Sequence, residues 1–350
     1  MFYLLILILS IFVLLFFNKK NDIRSKIKNK FLLILSYLII MLPHGLRYGI
    51  GTDYFYTYVP GFFRIGLGQD FYTEIGFSYL NKIIYNLTGD YRVMFFVTSA
   101  ILFYFLYKSI VENSNNLIIS VILIFISQFY FSSMNLLRQA IAMSIIFYGF
   151  KYLKNDLKIK FVIICLFASL FHNSSFFMIP LIFLYNKNFS RKNQIITCLV
   201  LLCLTPFLKI LIEYVIVNYT KYGWYYQTGY AGASVSFILV ITNLILFIIG
   251  LLYFPRDDKE DYSYKILNNI NFLCMCITVV SPVIPLIFRV IKYFTTFHIL
   301  FVPAVLAREV NLKNKLLLYV FTLGILAFGT VYQIFVLGGE EVYPYVSIFS

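Results

Sequence analysis

The sequence predicts an all-α fold, a polytopic integral membrane helical bundle of about twelve transmembrane helices. Its 350 residues are 61% hydrophobic and only 13% charged, with a mean hydropathy of +0.84, whereas a soluble domain carries roughly 25% charged residues. The apolar residues also lie in long blocks separated by short polar segments. That pattern is typical of membrane helices, each of which needs about 20 apolar residues.

The predicted spans follow the apolar blocks in order. They lie near 2–17, 31–43, 91–107, 117–132, 136–153, 159–171, 174–185, 194–212, 234–254, 266–281, 287–306 and 316–337. The second, sixth and seventh blocks are short for full spans, which favours re-entrant segments or shielding by neighbouring helices. The first block lacks a basic start and a small-residue cleavage site, so we expect a retained span and not a signal peptide.

The basic residues predict the topology. Of the 29 Lys and Arg residues, 20 fall in six polar regions, namely 18–30, 108–116, 151–160, 186–193, 255–265 and 307–315. Because basic loops face the cytoplasm, both termini are predicted to lie outside. The net charge of +14 is then a topology signal, so we expect membrane lipid and no nucleic acid as a partner.

We predict a single membrane domain over 1–350 with two extracytoplasmic loops, at about 44–90 and 213–233. The first is long enough to carry amphipathic or re-entrant helices of its own, one of them an interfacial helix at 74–87. The second holds Trp224 among several tyrosines, and the tail 338–350 ends the chain outside.

Several chemistries are not supported by the sequence. It contains no G-x-x-x-x-G-K-[ST] motif, no G-x-G-x-x-G motif and no H-E-x-x-H motif. The five cysteines lie in apolar blocks without a C-x-x-C pair, as packing thiols do. We therefore expect no cofactor and no metal site.

The segment 44–58 is the first candidate site, because it places Arg47, Asp53 and three glycines beside the membrane. Glycines let a backbone approach a ligand closely, and this combination can bind phosphate or sugar and supply a base. The alternative is an Arg47–Asp53 ion pair that shapes a loop.

Two further candidates lie at predicted outer span ends. Arg138 shares a helical face with Asn135 and Ala142, and it could clamp phosphate through its planar guanidinium or else snorkel to the headgroups. His172 could be a general base or a phosphate ligand, or else a capping, hydrogen-bonded histidine.

Arg289 and Lys292 form a third candidate, at the outer end of the eleventh span on the face of Thr296. Two cations close together inside a span favour a functional role over snorkelling. His298 lies deeper and is predicted to be a buried, hydrogen-bonded residue.

Five short motifs together resemble a known family. They are R-Y-G-I-G-T-D-Y at 47–54, N-L-L-R-Q-A-I-A at 135–142, A-S-L-F-H-N-S-S at 168–175, F-R-V-I-K-Y-F at 288–294 and Y-P-Y at 343–345. In this order they resemble the EpsG family, whose members are Wzy-like polymerases of bacterial exopolysaccharide and O-antigen.

The resemblance implies a GT-C-like, multi-pass glycosyltransferase of the bacterial cytoplasmic membrane. Such polymerases join oligosaccharide repeat units carried on undecaprenyl pyrophosphate at the outer face, as in the synthesis of O-antigen, capsule or exopolysaccharide. The lipid-linked donor is already activated, so no nucleotide is needed. A chain-length regulator protein is an implied partner.

The resemblance also suggests roles for the candidate residues. Substrate or pyrophosphate binding falls to Arg47, Arg138, Gln139, Arg289 and Lys292. The base that deprotonates the acceptor hydroxyl would be Asp53, His172 or Glu74, the last of these in E-I-G-F at 74–77. Aromatic residues of 54–58 and 219–230 would stack on sugar rings.

Three alternative functions stay open from the sequence. An O-antigen-ligase-like transferase would use the same donor with another acceptor. A flippase or transporter of lipid-linked oligosaccharide predicts charges near the bilayer midplane and an internal repeat, and neither is evident. A membrane acyltransferase would need catalytic residues facing a cytosolic acyl donor, but the predicted inner loops are short and basic.

Overall fold

The computed structural model describes residues 1–17, 23–185, 187–219, 236–254, 262–284, 286–309 and 311–350. Across these ranges the chain is helical, and the only β pairing they contain is one isolated antiparallel bridge between Arg47 and Ser347. The prediction of an all-α protein is therefore confirmed.

The helices follow the apolar blocks of the sequence. The α-helices are α1 (Phe2–Leu15), α2 (Ile23–Gly45), α3 (Val59–Gly66), α4 (Ile75–Thr88), α5 (Tyr91–Asn113), α6 (Leu117–Ile126), α7 (Phe129–Asn135), α8 (Leu137–Leu153), α9 (Lys158–Ser169), α10 (Arg191–Tyr219), α11 (Phe237–Leu252), α12 (Tyr262–Val280), α13 (Phe288–Thr296), α14 (His298–Arg308) and α15 (Leu312–Thr330). Two π-helices cover Tyr54–Tyr58 and Val331–Val336, and 3-10 helices cover Asn173–Leu184, Ser281–Val283 and Gly339–Glu341.

Fewer helices qualify as full membrane spans than the sequence predicts. Within the described residues, 5 helices are long and apolar enough to cross a membrane, or up to 7 if each bent pair counts as one span. Three other apolar helices, α1, Asn173–Leu184 and α11, have only 14, 12 and 16 residues. A helix that crosses the membrane perpendicularly needs about 20 residues, so these three helices are too short for a perpendicular crossing.

Two predicted spans are broken helices. The block 287–306 bends by 42° between α13 and α14. The block 117–132 bends by 49° between α6 and α7, where Gln128 adopts a positive φ of 65°. Leu136, with φ −91° and ψ 43°, then separates α7 from α8. Asn135 and Arg138 consequently lie on different helices, so the prediction that they share one helical face is wrong.

The described chain falls into two compact units. The first comprises residues 1–179 and 326–350. Within it α5 packs against α2 and α8, and α1 packs against α2 and α6. Hydroxyl groups link these apolar helices, since Ser36 Oγ lies 2.6 Å from Ser10 Oγ and 3.0 Å from Tyr107 Oη. Such interhelical hydrogen bonds stabilise helix pairs in a membrane.

The second unit comprises residues 180–325, and α12 is its central helix. This helix packs against α10, α11, α13 and α14, with a buried cluster formed by Phe247, Phe272 and Met275. His298 is 3% exposed and its Nε2 lies 3.1 Å from Asn271 Oδ1. The prediction of a buried, hydrogen-bonded His298 is confirmed.

The long connection 44–90 carries helices of its own, as predicted. Its last helix, α4, matches the predicted helix at 74–87 and ends at Gly89, whose φ of 64° is the left-handed conformation that glycine favours at helix ends. Phe77 and Ile84 are buried, while Ile75, Tyr79 and Ile83 are exposed. An outward-facing apolar stripe of this kind suits a membrane interface.

The chain end 338–350, hereafter the C-terminal strap, packs onto the segment that follows α2. Its main chain is bonded on both sides of the Arg47–Ser347 bridge, where Tyr48 N donates to Val346 O at 2.9 Å and Ile348 N donates to Leu46 O at 2.9 Å.

The predicted loop 213–233 starts later than expected, because α10 continues to Tyr219. The remainder of that loop, with Trp224, lies outside the described residues.

Gly76 generates a stability prediction, because α4 begins in direct contact with the end of α9. Gly76 N donates to Leu170 O at 2.8 Å, and a Cβ at Gly76 would lie 2.7 Å from that same oxygen. We expect Gly76→Ala to lower the free energy of unfolding by about 1–3 kcal/mol through overpacking. The measurement is the thermal denaturation midpoint of the detergent-solubilised protein.

Gly324→Ala is the matched control. It adds the same methyl group within a helix, at a position where no atom lies within 4 Å. Equal midpoints for the two variants would contradict the proposed contact.

Candidate functional site

Arg138 and Glu74 bring together three segments that are far apart in sequence. Arg138 is the second residue of α8, and its Nη1 donates to Glu74 Oε2 in a short ion pair and to Thr73 Oγ1 at 3.0 Å. The guanidinium carbon lies 6.0 Å from the centre of the Phe77 ring. The Arg138 side chain is 24% exposed and that of Glu74 is 9% exposed, so the pair lies at the edge of the interior.

The second oxygen of Glu74 binds the predicted His172 segment. Oε1 accepts a hydrogen bond from the Asn173 main-chain N–H at 3.3 Å. Leu170 O also accepts from Gly76 N at 2.8 Å and from Phe77 N at 3.3 Å. Glu74, Arg138 and the 172–175 motif, which were predicted separately, therefore form one cluster.

His172 is held by Ser174. Its Nδ1 lies 2.6 Å from Ser174 Oγ and accepts from Ser174 N at 3.4 Å. A neutral imidazole that accepts at Nδ1 carries its proton on Nε2. In that state His172 presents an N–H donor at Nε2.

Asp53 lies in a tight turn against α7. Its main-chain N–H donates to Asn135 Oδ1 at 3.4 Å, and its Oδ1 accepts from Thr57 Oγ1 at 3.4 Å. Gly51 has a φ of 94°, and a Cβ there would lie 2.5 Å from Asn135 Oδ1. Only glycine fits this close approach without displacing the amide.

Tyr58 connects the Asp53 turn with the Arg138 cluster. Its hydroxyl donates to Asn135 O at 2.7 Å and accepts from Leu137 N at 2.8 Å. Burial raises the pKa of Tyr58 to about 12, while the Arg138 cation lowers that pKa and the Asp53 carboxylate raises it. Both charges thus act on one buried hydroxyl, which places Asp53 and Arg138 around the same tyrosine.

Glu340 is a site residue that the sequence reasoning missed. The Nδ2 of Asn135 donates to Glu340 O at 2.8 Å and to Glu340 Oε2 at 2.7 Å. From the sequence, Glu340 was only part of the outer tail. The run G-G-E-E at 338–341 could have indicated a turn there, because glycines directly before two acidic residues at the end of an apolar block favour one.

Arg47 lies in the interior of the first unit. It is 0% exposed, its Nη1 donates to His44 O, and its Nη2 donates to Met134 O at 3.1 Å. The guanidinium carbon also lies 4.8 Å from the Phe95 ring centre. Burial lowers the pKa of Arg47 to about 10. These partners are main-chain carbonyls and an aromatic ring, so Arg47 joins α2 to α7 and has no exposed surface for phosphate.

The other predicted binding residues have different surroundings. Gln139 is 1% exposed and its Nε2 lies 3.8 Å from Met143 Sδ inside the first unit. Arg289 and Lys292 are partly buried on α13 of the second unit, where Lys292 O accepts from Thr296 Oγ1 at 2.7 Å. No group of three or more His, Cys, Asp or Glu side chains in the described ranges could hold a metal ion.

Among the aromatic residues predicted to contact sugar, Phe55 and Tyr56 are exposed, at 48% and 88%. Tyr54 is buried and stacks on Phe95, with ring centres 4.1 Å apart. The exposed pair therefore lies directly after the Asp53 turn, whereas Tyr54 belongs to the interior.

Comparison with known proteins identifies one family. A family model described as the EpsG family matches residues 30–347, a range that contains every predicted site residue. No curated protein and no solved structure matches the chain.

Removal of the Tyr58 hydroxyl tests whether it connects the two parts of the site. In Tyr58→Phe, Asn135 O and Leu137 N–H both lose a buried partner. We expect a loss of about 1–3 kcal/mol in the free energy of unfolding. Tyr56→Phe is the control, because that side chain is 88% exposed. Identical denaturation midpoints for the two variants would argue against a bridging hydroxyl.

Proposed function

The chain belongs to the EpsG family of Wzy-like polysaccharide polymerases, and we propose that it joins oligosaccharide repeat units carried on undecaprenyl pyrophosphate. The reaction takes place at the outer face of the bacterial cytoplasmic membrane. The growing chain is transferred from its lipid carrier to the non-reducing end of the next repeat unit. Family membership supports a polysaccharide polymerase role, and the geometry of Arg138 supports the pyrophosphate donor.

Arg138 is oriented by bonds to only one of its nitrogens. Nη1 binds both Thr73 and Glu74, whereas Nε and Nη2 make no hydrogen bond to the described residues, and the side chain is 24% exposed. The guanidinium is therefore fixed in direction while one edge with two N–H groups is available. Such an edge matches two phosphate oxygens and keeps its charge at every physiological pH.

The proposed reaction is a glycosyl transfer. The acceptor hydroxyl oxygen attacks the anomeric carbon of the donor, and the bond between that carbon and the pyrophosphate oxygen breaks. The electron pair leaves with the pyrophosphate, where Arg138 stabilises the developing charge. A base takes the proton of the acceptor hydroxyl. The donor is already activated, so the reaction needs no nucleotide.

We assign the base to Asp53. Both oxygens of Glu74 are occupied, one by the Arg138 cation and one by the Asn173 N–H, and His172 accepts at Nδ1 from Ser174. Asp53 is partly exposed, and its Oδ1 accepts a long hydrogen bond of 3.4 Å from Thr57 Oγ1. In this assignment Glu74 orients Arg138, and His172 donates a hydrogen bond to the substrate.

Further roles complete the proposal. The exposed Phe55 and Tyr56 stack on sugar rings. Arg289 and Lys292 of the second unit stay candidate phosphate-binding residues. Arg47 and Gln139 act indirectly, because both are buried.

The proposal also keeps the predicted GT-C-like topology of about twelve spans with both termini outside. Helices cover the predicted blocks, and the basic residues are concentrated in the predicted inner loops. A chain-length regulator protein and membrane lipid are the expected partners.

Substitution of Arg138 tests the proposed function. In a strain that lacks the chromosomal gene, we expect Arg138→Ala to abolish the polymer ladder and leave a single-repeat glycolipid at the outer face. Arg138→Lys keeps the charge but loses the two-pronged edge, so we expect polymerisation to fall by roughly tenfold or more. The measurement is the chain-length distribution on a gel, normalised to the amount of membrane protein.

Arg92→Ala is the matched control. Arg92 is a 50% exposed arginine of the same unit, paired with Asp90 at 2.7 Å. Its loss should leave chain length unchanged. A normal ladder in Arg138→Ala, at normal protein level, would contradict the proposal. Accumulation of the glycolipid at the inner face would instead indicate a flippase.

A further inference from the structure

We infer that Glu340 is a positioning residue, which fixes the amide of Asn135 and through it the turn that carries Asp53. The inference rests on the proposed function, in which Asp53 is the base. Glu340 lies in the C-terminal strap, far in sequence from every residue that it serves. Its contribution is to hold the main chain of the turn, and it does not itself touch the reacting atoms.

The orientation of the Asn135 amide follows from hydrogen-bond chemistry. Glu340 offers two acceptors, its main-chain oxygen at 2.8 Å and its Oε2 at 2.7 Å, and both face the Asn135 Nδ2. An amide nitrogen has two N–H donors and no acceptor, so these two oxygens match it fully. The Asn135 Oδ1 must then point the other way, where it accepts the Asp53 N–H at 3.4 Å.

The same turn is bonded to the strap a second time. Gly51 N donates to Glu341 O at 3.1 Å. A Cβ on Gly51 would lie 2.5 Å from Asn135 Oδ1, so the turn and the amide are in close contact. The strap, the amide and the turn therefore form a continuous set of bonds that ends at Asp53.

The backbone of the strap is unusual at this point. Glu340 and Glu341 have positive φ angles of 68° and 49°, a conformation that costs non-glycine residues on the order of 1–3 kcal/mol each when it is strained. The surrounding bonds hold it in place, since Tyr3 Oη donates to Val342 O at 2.6 Å and Tyr345 Oη donates to Pro43 O at 2.9 Å. The left-handed turn allows one residue to present both its carbonyl and its carboxylate to Asn135.

Loss of the Glu340 carboxylate, which leaves the main-chain oxygen in place, should affect catalysis more than folding. A catalytic group displaced by about 1 Å can lose roughly 100-fold in rate. We expect Glu340→Ala to lower kcat by about tenfold or more and to leave KM for the lipid-linked repeat unit within about twofold. Glu340→Gln should keep most of the activity, because its amide oxygen can still accept from Asn135 Nδ2.

The closing experiment is a hydrogen-bond swap, assayed with purified protein and lipid-linked repeat units. Asn135→Asp alone places a second carboxylate against Glu340 Oε2, where the atoms are now 2.7 Å apart, and we expect it to lose activity by repulsion. The double variant Asn135→Asp with Glu340→Gln exchanges donor and acceptor at the side-chain contact only, because the main-chain oxygen of residue 340 still faces the new carboxylate. We therefore expect it to recover part of the kcat. Glu341→Gln, the neighbouring glutamate of the strap, is the control and should keep wild-type kcat.

Amide hydrogen exchange of residues 49–55 separates the inference from the proposed function, because it requires no turnover. Exchange should accelerate in Glu340→Ala and Asn135→Asp and slow again towards the wild-type rate in the double variant, with an unchanged denaturation midpoint for Glu340→Ala. If wild-type protein makes no polymer while the exchange pattern holds, the proposed function fails and the positioning stands. Wild-type exchange in Glu340→Ala, or no recovery in the double variant, would overturn the inference.

Discussion

The ion pair between Arg138 and Glu74 is the interaction on which the rest of the site depends. Through it, a carboxylate just before α4 meets the start of α8, and the second oxygen of the same carboxylate binds the segment after α9. Three regions separated by 64 and 99 residues thus converge on one side chain. An arginine at a membrane surface would otherwise move freely, and fixing it in advance reduces the entropy lost when it binds a ligand.

Buried polar groups stabilise the main chain just before Arg138. Arg47 is 0% exposed and joins His44 O to Met134 O, and Met134 directly precedes Asn135. Burial of an arginine without a carboxylate partner costs free energy unless its N–H groups find acceptors. Here main-chain carbonyls accept hydrogen bonds from Arg47, and the Phe95 ring contacts its guanidinium. The C-terminal strap then closes over the same segment by the Arg47–Ser347 bridge. The charged residue that looked most like a ligand in the sequence is therefore buried and bonded to main-chain carbonyls.

The sequence predicted the helical class and the long connecting segment 44–90 with its helix at 74–87, because both depend on local periodicity and composition. It also selected Glu74, Arg138 and His172. It could not reveal that Glu74 binds Arg138, since a contact across 64 residues leaves no local pattern. Burial of Arg47 and the approach of Glu340 to Asn135 depend equally on tertiary packing. The sequence predicted the break between these two helices at 133–135 and not at Leu136, because no Gly or Pro marks its position.

The proposed polymerase requires the free edge of Arg138 to bind a phosphate of the lipid-linked donor. A cryo-electron microscopy structure of the protein in a lipid nanodisc, with a non-reactive phosphonate analogue of that donor, measures this contact directly. We expect phosphate oxygens at about 2.7–3.0 Å from Nε and Nη2 of Arg138, with Nη1 still bonded to Glu74. A bound analogue whose phosphates contact other residues, with Arg138 bonded only to the protein, would contradict it.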